Sequence, residues 1–186
     1  DNLRPIEHSR DVDNEGNTAL HIATMFNRSE IVQLILCQYS ADSNAQNSIG
    51  YTSLHYACSK NHIEIAKVLL DTGAGASTNV QGNQGSTPLI IACFKRNHDL
   101  ALLLLTDKYN TEVNTNSNLG TALYVAVENN HVPLTQLLLS HDADVNTRKE
   151  SNVQGFTPLH LAAAKGYVEI VSLLLGTGNS SIDMLT

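Results

Sequence analysis

The sequence predicts an all-α solenoid in which short helical pairs stack on one another. One motif recurs along the chain at near-constant spacing, and its clearest copy is GFTPLHLAAAKGYVEIVSLLL, Gly155–Leu175. The motif has the pattern of two short helices joined by a tight turn. One such pair has too little apolar surface to offset its ordering entropy, so each copy must stack on its neighbours.

The clearest copy shows how the pair forms. The Thr157 hydroxyl can cap the first helix, and Pro158 suits the first helical position, where no N–H is needed. Gly166 suits a left-handed C-terminal stop. The second helix then presents three apolar residues to the core: Ile170, Leu173 and Leu174.

Five copies keep this register. The capping threonines are separated by 34, 35, 34 and 36 residues, and they are Thr18, Thr52, Thr87, Thr121 and Thr157. Leucine follows each threonine after two residues, alanine after five and leucine again after eighteen. Four signals in register over five copies indicate a repeat protein.

The repeated motif resembles the ankyrin repeat family, from roughly Val12 to Asp183. The matching segments are TPLHLAAAKG at 157–166, TALHIA at 18–23, TSLHYA at 52–57 and HDADVN at 141–146. The resemblance implies helix-turn-helix units joined by β-hairpin-like loops, here called fingers. We expect one domain over 1–186, with repeats at about 16–47, 50–82, 85–116, 119–152 and 155–186, as a fragment of a longer protein.

The repeats differ in detail. Asparagine, which tolerates a left-handed backbone, replaces the glycine stop at Asn27, Asn61 and Asn130, whereas repeat three has the poorer Arg96. Repeats three and four also have Ile90 and Tyr124 in place of a recurring histidine. The middle repeats are therefore predicted to be the least regular, with strain or mobility concentrated there.

Two fingers are unusually long. The stretch 71–84 is rich in Gly, Ser and Asn, which predicts a flexible loop. The stretch 147–156 is three residues longer than its counterpart after Asn44. Because it carries Arg148, Lys149 and Glu150, it is expected to project into solvent.

Composition excludes several classes of function. The net charge is −7 and no run of Lys or Arg is present, which disfavours binding to nucleic acid. No apolar run approaches the roughly 20 residues of a membrane span, so no membrane insertion is expected. No signal peptide opens the chain, and three cysteines, Cys37, Cys58 and Cys93, are expected to stay reduced; an intracellular, cytoplasmic location is predicted.

The histidines are predicted to be structural. His21, His55 and His160 share one repeat position, from which each ring can bond the capping threonine and link neighbouring repeats. Neighbouring repeats lie roughly 10 Å apart, whereas zinc ligands converge within about 2.3 Å of one ion. No nucleophile, phosphate-loop or kinase motif is found. We therefore predict no metal, no cofactor and no enzymatic activity.

The resemblance implies that partners bind at the finger tips and along the inner helices, which line a concave groove. The residues at the corresponding positions are Met25, Phe26, Ile49, Tyr51, Lys60, Phe94, Lys95, Val153, Phe156 and Lys165. All three phenylalanines of the chain are among them, and aromatic side chains in solvent favour recognition. Phe26 and Phe94 could instead fill gaps between repeats. Three of the lysines share one repeat position, where they could form a basic line that suits an acidic, apolar peptide or simply a solvated face.

The sequence thus predicts a protein-interaction scaffold whose partner is another protein or peptide. The alternative is a regulatory segment of a larger enzyme or membrane channel that docks in cis. A third possibility is homodimerisation through an exposed apolar face on the last repeat, although a monomer is favoured.

Overall fold

The computed structural model describes residues 11–71, 75–149 and 155–178. Within these ranges ten α-helices form five successive pairs. The first three pairs are α1 (Ala19–Met25) with α2 (Ser29–Tyr39), α3 (Ser53–Lys60) with α4 (Ile63–Asp71), and α5 (Pro88–Phe94) with α6 (His98–Leu104). The last two are α7 (Ala122–Glu128) with α8 (Val132–Leu139), and α9 (Pro158–Lys165) with α10 (Val168–Gly176). Short 3₁₀ turns lie at Asn83–Gly85 and Asp107–Tyr109.

The pairs stack in register, which confirms the predicted all-α solenoid. The inner helices α1, α3, α5, α7 and α9 each contact the next inner helix, and the outer helices α2, α4, α6, α8 and α10 do the same. One continuous core of leucine, isoleucine and alanine therefore runs through all five pairs. Small side chains such as Ala57 and Ala92 are fully buried, which lets the helices approach closely.

Each inner helix begins at the predicted threonine. Thr18, Thr52, Thr87, Thr121 and Thr157 are the N-cap residues, all with extended backbone. The turn between paired helices takes the predicted left-handed conformation at Asn27, Asn61, Arg96, Asn130 and Gly166. Arg96 has φ +60°, a left-handed conformation that is strained for a residue with a Cβ but not for glycine.

Two histidines link neighbouring repeats as predicted. The backbone N–H of Thr52 donates to His55 Nδ1 at 3.1 Å, so Nε2 carries the ring proton and donates to the Ser86 carbonyl at 3.0 Å. His21 forms the same bridge from repeat one, to the Tyr51 carbonyl at 2.9 Å. Each imidazole therefore caps its own helix and holds the next finger.

The middle repeats are not loosely packed. Ile90 and Tyr124, which replace the bridging histidine, are both buried, and so is every residue of 86–93 and 120–127. Because these repeats have neighbours on both sides, both side chains pack into the continuous core. Left-handed backbone occurs in this part of the chain at Arg96 and also at Gln84, Asn110 and Asp142.

Asparagine side chains join the fingers in a ladder that the sequence analysis missed. Asn44, Asn79 and Asn114 recur at 35-residue spacing. Asn79 Nδ2 donates to the Asn110 carbonyl at 2.9 Å, and its Oδ1 accepts from the Glu112 N–H at 2.8 Å. Asn44 and Asn114 form equivalent pairs with the fingers that follow them.

The described part of the finger at 71–84 is hydrogen-bonded to the preceding finger. Asn44 holds Gly75 and Ser77, and Gln46 Nε2 donates to the Gln81 carbonyl at 3.0 Å. Residues 72–74 of this finger lie outside the described ranges. The described part of this predicted loop is thus hydrogen-bonded to the preceding finger.

Candidate protein-interaction surface

The inner helices end in a row of exposed basic and aromatic side chains. Phe94, the last residue of α5, is 46% exposed, and Lys95 Nζ lies 5.6 Å from its ring centroid. Lys60 and Lys165 occupy the same repeat position as Lys95 and are exposed in the last turns of α3 and α9. Within the described residues no acidic side chain forms an ion pair with these three lysines.

Each lysine of this row lies at the C-terminal end of an inner helix. A lysine at a helix C-terminus is favoured by the helix dipole, which explains why the position suits a cation. The charges are nevertheless solvent-facing, and Phe94 offers an exposed ring among them. A surface of this kind attracts acidic groups and contacts apolar ones.

The aromatic residues that precede the capping threonines, Tyr51 and Phe156, are more buried than Phe94 and stack on histidine rings. Tyr51 is half-buried and stacks on His55, with 4.9 Å between ring centroids and 14° between planes. A Cβ added to Gly82 would lie only 2.6 Å from the Tyr51 ring, so this glycine leaves room for the tyrosine. Burial raises the pKa of Tyr51. Its ring thus packs between repeats.

Phe156 sits in the corresponding place in repeat five. It is half-buried, and its ring centroid lies 5.9 Å from that of His160. Ile49, near the tip of the second finger, is exposed. Val153 lies outside the described residues.

The two candidate residues of repeat one, Met25 and Phe26, occupy the repeat positions of Phe94 and Lys95. Met25 is half-buried. Phe26 is exposed and borders a hollow of about 470 Å³ on the first helical pair, together with Ile22, Ile31 and Ile35. Neither Phe26 nor Phe94 is buried between repeats.

Lys149 was expected to project into solvent, and this expectation is wrong. Its side chain is only 18% exposed, with Nζ 5.3 Å from the Tyr124 ring centroid and 3.8 Å from a Glu128 carboxylate oxygen. Tyr124 occupies the position of the bridging histidine, and Lys149 packs on its ring from the finger that follows. Arg148, next to it, is exposed as expected.

A polar cluster at the first two fingers was also missed by the sequence analysis. Asn47 Nδ2 donates to Asn17 Oδ1 at 2.7 Å and to the Tyr56 hydroxyl at 2.9 Å. Burial raises the pKa of Tyr56, with a smaller contribution from nearby Glu15 and Asp13. Periodicity could not reveal this cluster, because the residue types at these positions differ from repeat to repeat.

The buried titratable groups fit structural roles. Burial lowers the pKa of His55 to about 4, so its ring is neutral at pH 7 and suits the hydrogen bonds it makes. Burial raises the pKa of Cys93 to about 12 and also raises that of Cys58, which makes both thiols poor nucleophiles at neutral pH.

No group of three or more His, Cys, Asp or Glu side chains in the described ranges is arranged to hold a metal ion. None of the helices formed there has the length and apolarity to cross a bilayer.

Family models match nearly the whole chain. A model of one ankyrin repeat matches residues 15–48, and a model of three consecutive ankyrin repeats matches 38–117 and again 106–184. The chain belongs to the ankyrin repeat family. Ankyrin repeat domains are generally protein–protein interaction modules and are typically non-catalytic.

The ankyrin repeats of this chain are similar to those of much larger proteins. The chain is 28% identical over 170 residues to the nuclear factor NF-kappa-B p105 subunit of Gallus gallus, covering 90% of this chain and 13% of that protein. It is 36% identical over 153 residues to the transient receptor potential channel pyrexia of Drosophila melanogaster, covering 82% and 15%. It is 31% identical over 173 residues to the B-cell lymphoma 3 protein homolog of Mus musculus, covering 91% and 30%. The chain therefore spans less than a third of each of these relatives.

Proposed function

We propose that this chain is a protein-interaction scaffold that binds a partner protein or peptide along its inner-helix row and fingers. The observation that carries the proposal is Phe94, a large aromatic side chain that the core does not use, exposed beside Lys95. Lys60 and Lys165 repeat the positive charge at equivalent places. Aromatic side chains that become buried on binding supply much of the affinity of protein interfaces.

The charge of the row favours a particular kind of partner. An extended peptide with an apolar side chain flanked by Asp or Glu would cover Phe94 and neutralise the neighbouring lysines. Because the lysines are exposed, their contribution would be screened by salt. Affinity should therefore fall as ionic strength rises, while the apolar contact persists.

The proposal can be tested with peptides selected from a random display library on the immobilised wild-type chain. We expect Asp or Glu next to Leu, Ile or Phe to be enriched. Phe94→Ala should weaken the selected peptides at least about tenfold, the equivalent of about 1.4 kcal/mol. Leu102→Ala is the matched control, since Leu102 lies on the outer helix α6 with a similar exposure of 47%. Equal binding by wild-type and Phe94→Ala protein would refute the proposal.

A second candidate function is that of a regulatory segment docking in cis within a larger enzyme or channel. It is supported by the partial coverage of the relatives, one of which is named as a channel. If the full reading frame encodes a catalytic or membrane segment, that segment should be produced alone and titrated with this chain. Binding that Phe94→Ala weakens would favour docking in cis, and no binding would exclude it.

A further inference from the structure

The exposed lysines of the inner helices, Lys60, Lys95 and Lys165, form a series with one member missing. We call these three residues the lysine row. They lie eight residues after the capping threonines of repeats two, three and five, where repeat four has Asn129. Lys60 and Lys95 belong to repeats with a neighbour on each side, and both are exposed there. Positive charge thus occurs at two successive repeats, is absent at the next and returns at the one after it.

The contacts of repeat four account for the missing charge. Asn129 is half-buried, and its Nδ2 donates to the Cys93 and Phe94 carbonyls at 3.4 Å each. Glu128, the residue before it, is exposed, and its carboxylate lies 3.8 Å from Lys149 Nζ. The Lys149 side chain is itself largely buried. At this repeat a partner therefore meets a carboxylate, where the other three repeats present an ammonium group.

The distance between the lysines follows from helix packing. Each inner helix contacts the next one in the stack. Because packed helices lie roughly 8–10 Å apart, Lys60 and Lys95 are separated by roughly one such distance. Lys95 and Lys165 are separated by roughly two, since one inner helix lies between theirs.

Of the two extended backbone conformations, the polyproline II helix repeats at this distance. A β-strand rises about 3.3 Å per residue and alternates its side chains, so residues on one face are about 6.6 or 13 Å apart. A polyproline II helix has three residues per turn and rises about 3.1 Å per residue, so every third side chain lies on one face, about 9.3 Å apart. A segment in this conformation can therefore present one residue to each successive repeat.

From this match we propose that the partner segment binds as a polyproline II helix with acidic residues in a three-residue register. Its carboxylates face Lys60, Lys95 and Lys165, and an uncharged or basic residue faces Glu128. An apolar residue beside the carboxylate at Lys95 contacts the Phe94 ring. This inference rests on the proposed function, to which it adds the conformation and the spacing of the partner.

The missing charge at repeat four makes the two chain directions of the partner distinguishable. A segment that runs from repeat two to repeat five carries its acids at positions i, i+3 and i+9, and one that runs the other way carries them at i, i+6 and i+9. Acids at i, i+4 and i+8 match neither direction. Proline at other positions favours the polyproline II conformation before binding, which lowers the ordering cost.

Three synthetic peptides of equal composition test the register by fluorescence anisotropy on the wild-type chain. Each has three Glu residues in one of these spacings, one Leu after the second Glu, and Pro and Ser elsewhere. We expect one of the first two spacings to bind at least about fivefold more tightly than acids at i, i+4 and i+8, because two exposed ion pairs are lost in the latter.

Charge reversal then assigns each acid to its lysine. Lys60→Glu, Lys95→Glu and Lys165→Glu should each weaken the best peptide by about fivefold. Changing the one facing Glu of the peptide to Lys should restore binding to that variant alone. Lys67→Glu is the matched control, because it makes the same change of net charge at an exposed lysine of the outer helix α4, and it should bind like wild type. Circular dichroism checks that each variant keeps its helices.

The outcomes separate this inference from the proposed function. Equal affinity for the three spacings, no binding of any of them, or rescue that ignores the position of the reversed charge would overturn the inference. Peptides that Phe94→Ala weakens but that show no three-residue spacing of acids would overturn it too, while leaving the proposed function standing. Failure of Phe94→Ala to weaken any selected peptide would refute both.

Discussion

Acid should destabilise this protein through His55, and the size of the effect follows from its burial. The ring is fully buried in α3, and burial lowers its pKa from 6.5 to about 4. Above pH 6.5 the ring is neutral in both the folded and the unfolded chain, so it adds no pH dependence. Below pH 6.5 the unfolded chain binds a proton that the folded chain does not, and unfolding becomes easier.

The magnitude follows from the two pKa values. At pH 5 a group that titrates at 6.5 when unfolded and about 4 when folded lowers the free energy of unfolding by about 2 kcal/mol. The loss approaches about 3.4 kcal/mol below pH 4, where both states are protonated. No reduction for solvent screening is needed, because the ring has no exposed surface. Burial also lowers the pKa of His21 and of His131, so both act in the same direction.

Urea denaturation at pH 7.5 and at pH 5 measures the difference. In His55→Gln we expect the drop in unfolding free energy between these values to be smaller by about 2 kcal/mol. Thr87→Ala is the control: it removes a helix cap worth about 1 kcal/mol in a repeat that has Ile90 instead of histidine. It should lower stability equally at both values. A drop in His55→Gln as large as in wild type, or a His55 NMR titration near pH 6.5, would refute the reasoning.

Two further predictions concern the backbone and the asparagine ladder. Arg96→Gly should raise the free energy of unfolding by about 1 kcal/mol, because it relieves a strained left-handed residue. Gly166→Ala should lower it by a similar amount at the equivalent turn, where an added Cβ meets no neighbour. Urea denaturation of both variants measures these changes, and stabilities equal to that of the wild type would contradict the prediction. Asn79→Ala should cost about 1–2 kcal/mol by removing two hydrogen bonds between fingers, and Asn79→Asp, which keeps only the acceptor, should cost less. An unchanged urea midpoint for Asn79→Ala would show that water replaces those bonds.

Much of the fold could be predicted because its determinants are local and periodic. The threonine caps, the left-handed turn residues and the buried leucines each depend on the residue type at a fixed place in the repeat. The histidine bridges were predicted for the same reason. Ile90 and Tyr124 break the pattern, and the sequence could not show that both would be buried between neighbouring repeats.

The candidate surface was harder to predict, because exposure depends on contacts between positions that do not repeat. The position of Tyr51 was predicted, but its stacking on His55 against Gly82 involves three residues from two repeats. Lys149 looked like a solvated charge until its contacts with Tyr124 and Glu128 were seen. A long finger gives no sequence signal for whether it extends outward or folds back.

The structure also separates residues that can report on binding from residues that cannot. The Tyr51 ring stacks on His55 and packs against Gly82, so its replacement would disturb the junction between two repeats as well as any interface. The Phe94 ring is exposed at the end of α5 and contacts Lys95, which is itself an exposed side chain. A loss of affinity in Phe94→Ala can therefore be assigned to the partner contact, whereas the same loss in Tyr51→Ala would combine binding with stability. Since the repeat core is built from the same few positions in all five copies, the positions outside it are the ones at which this chain can vary its partner without altering its fold.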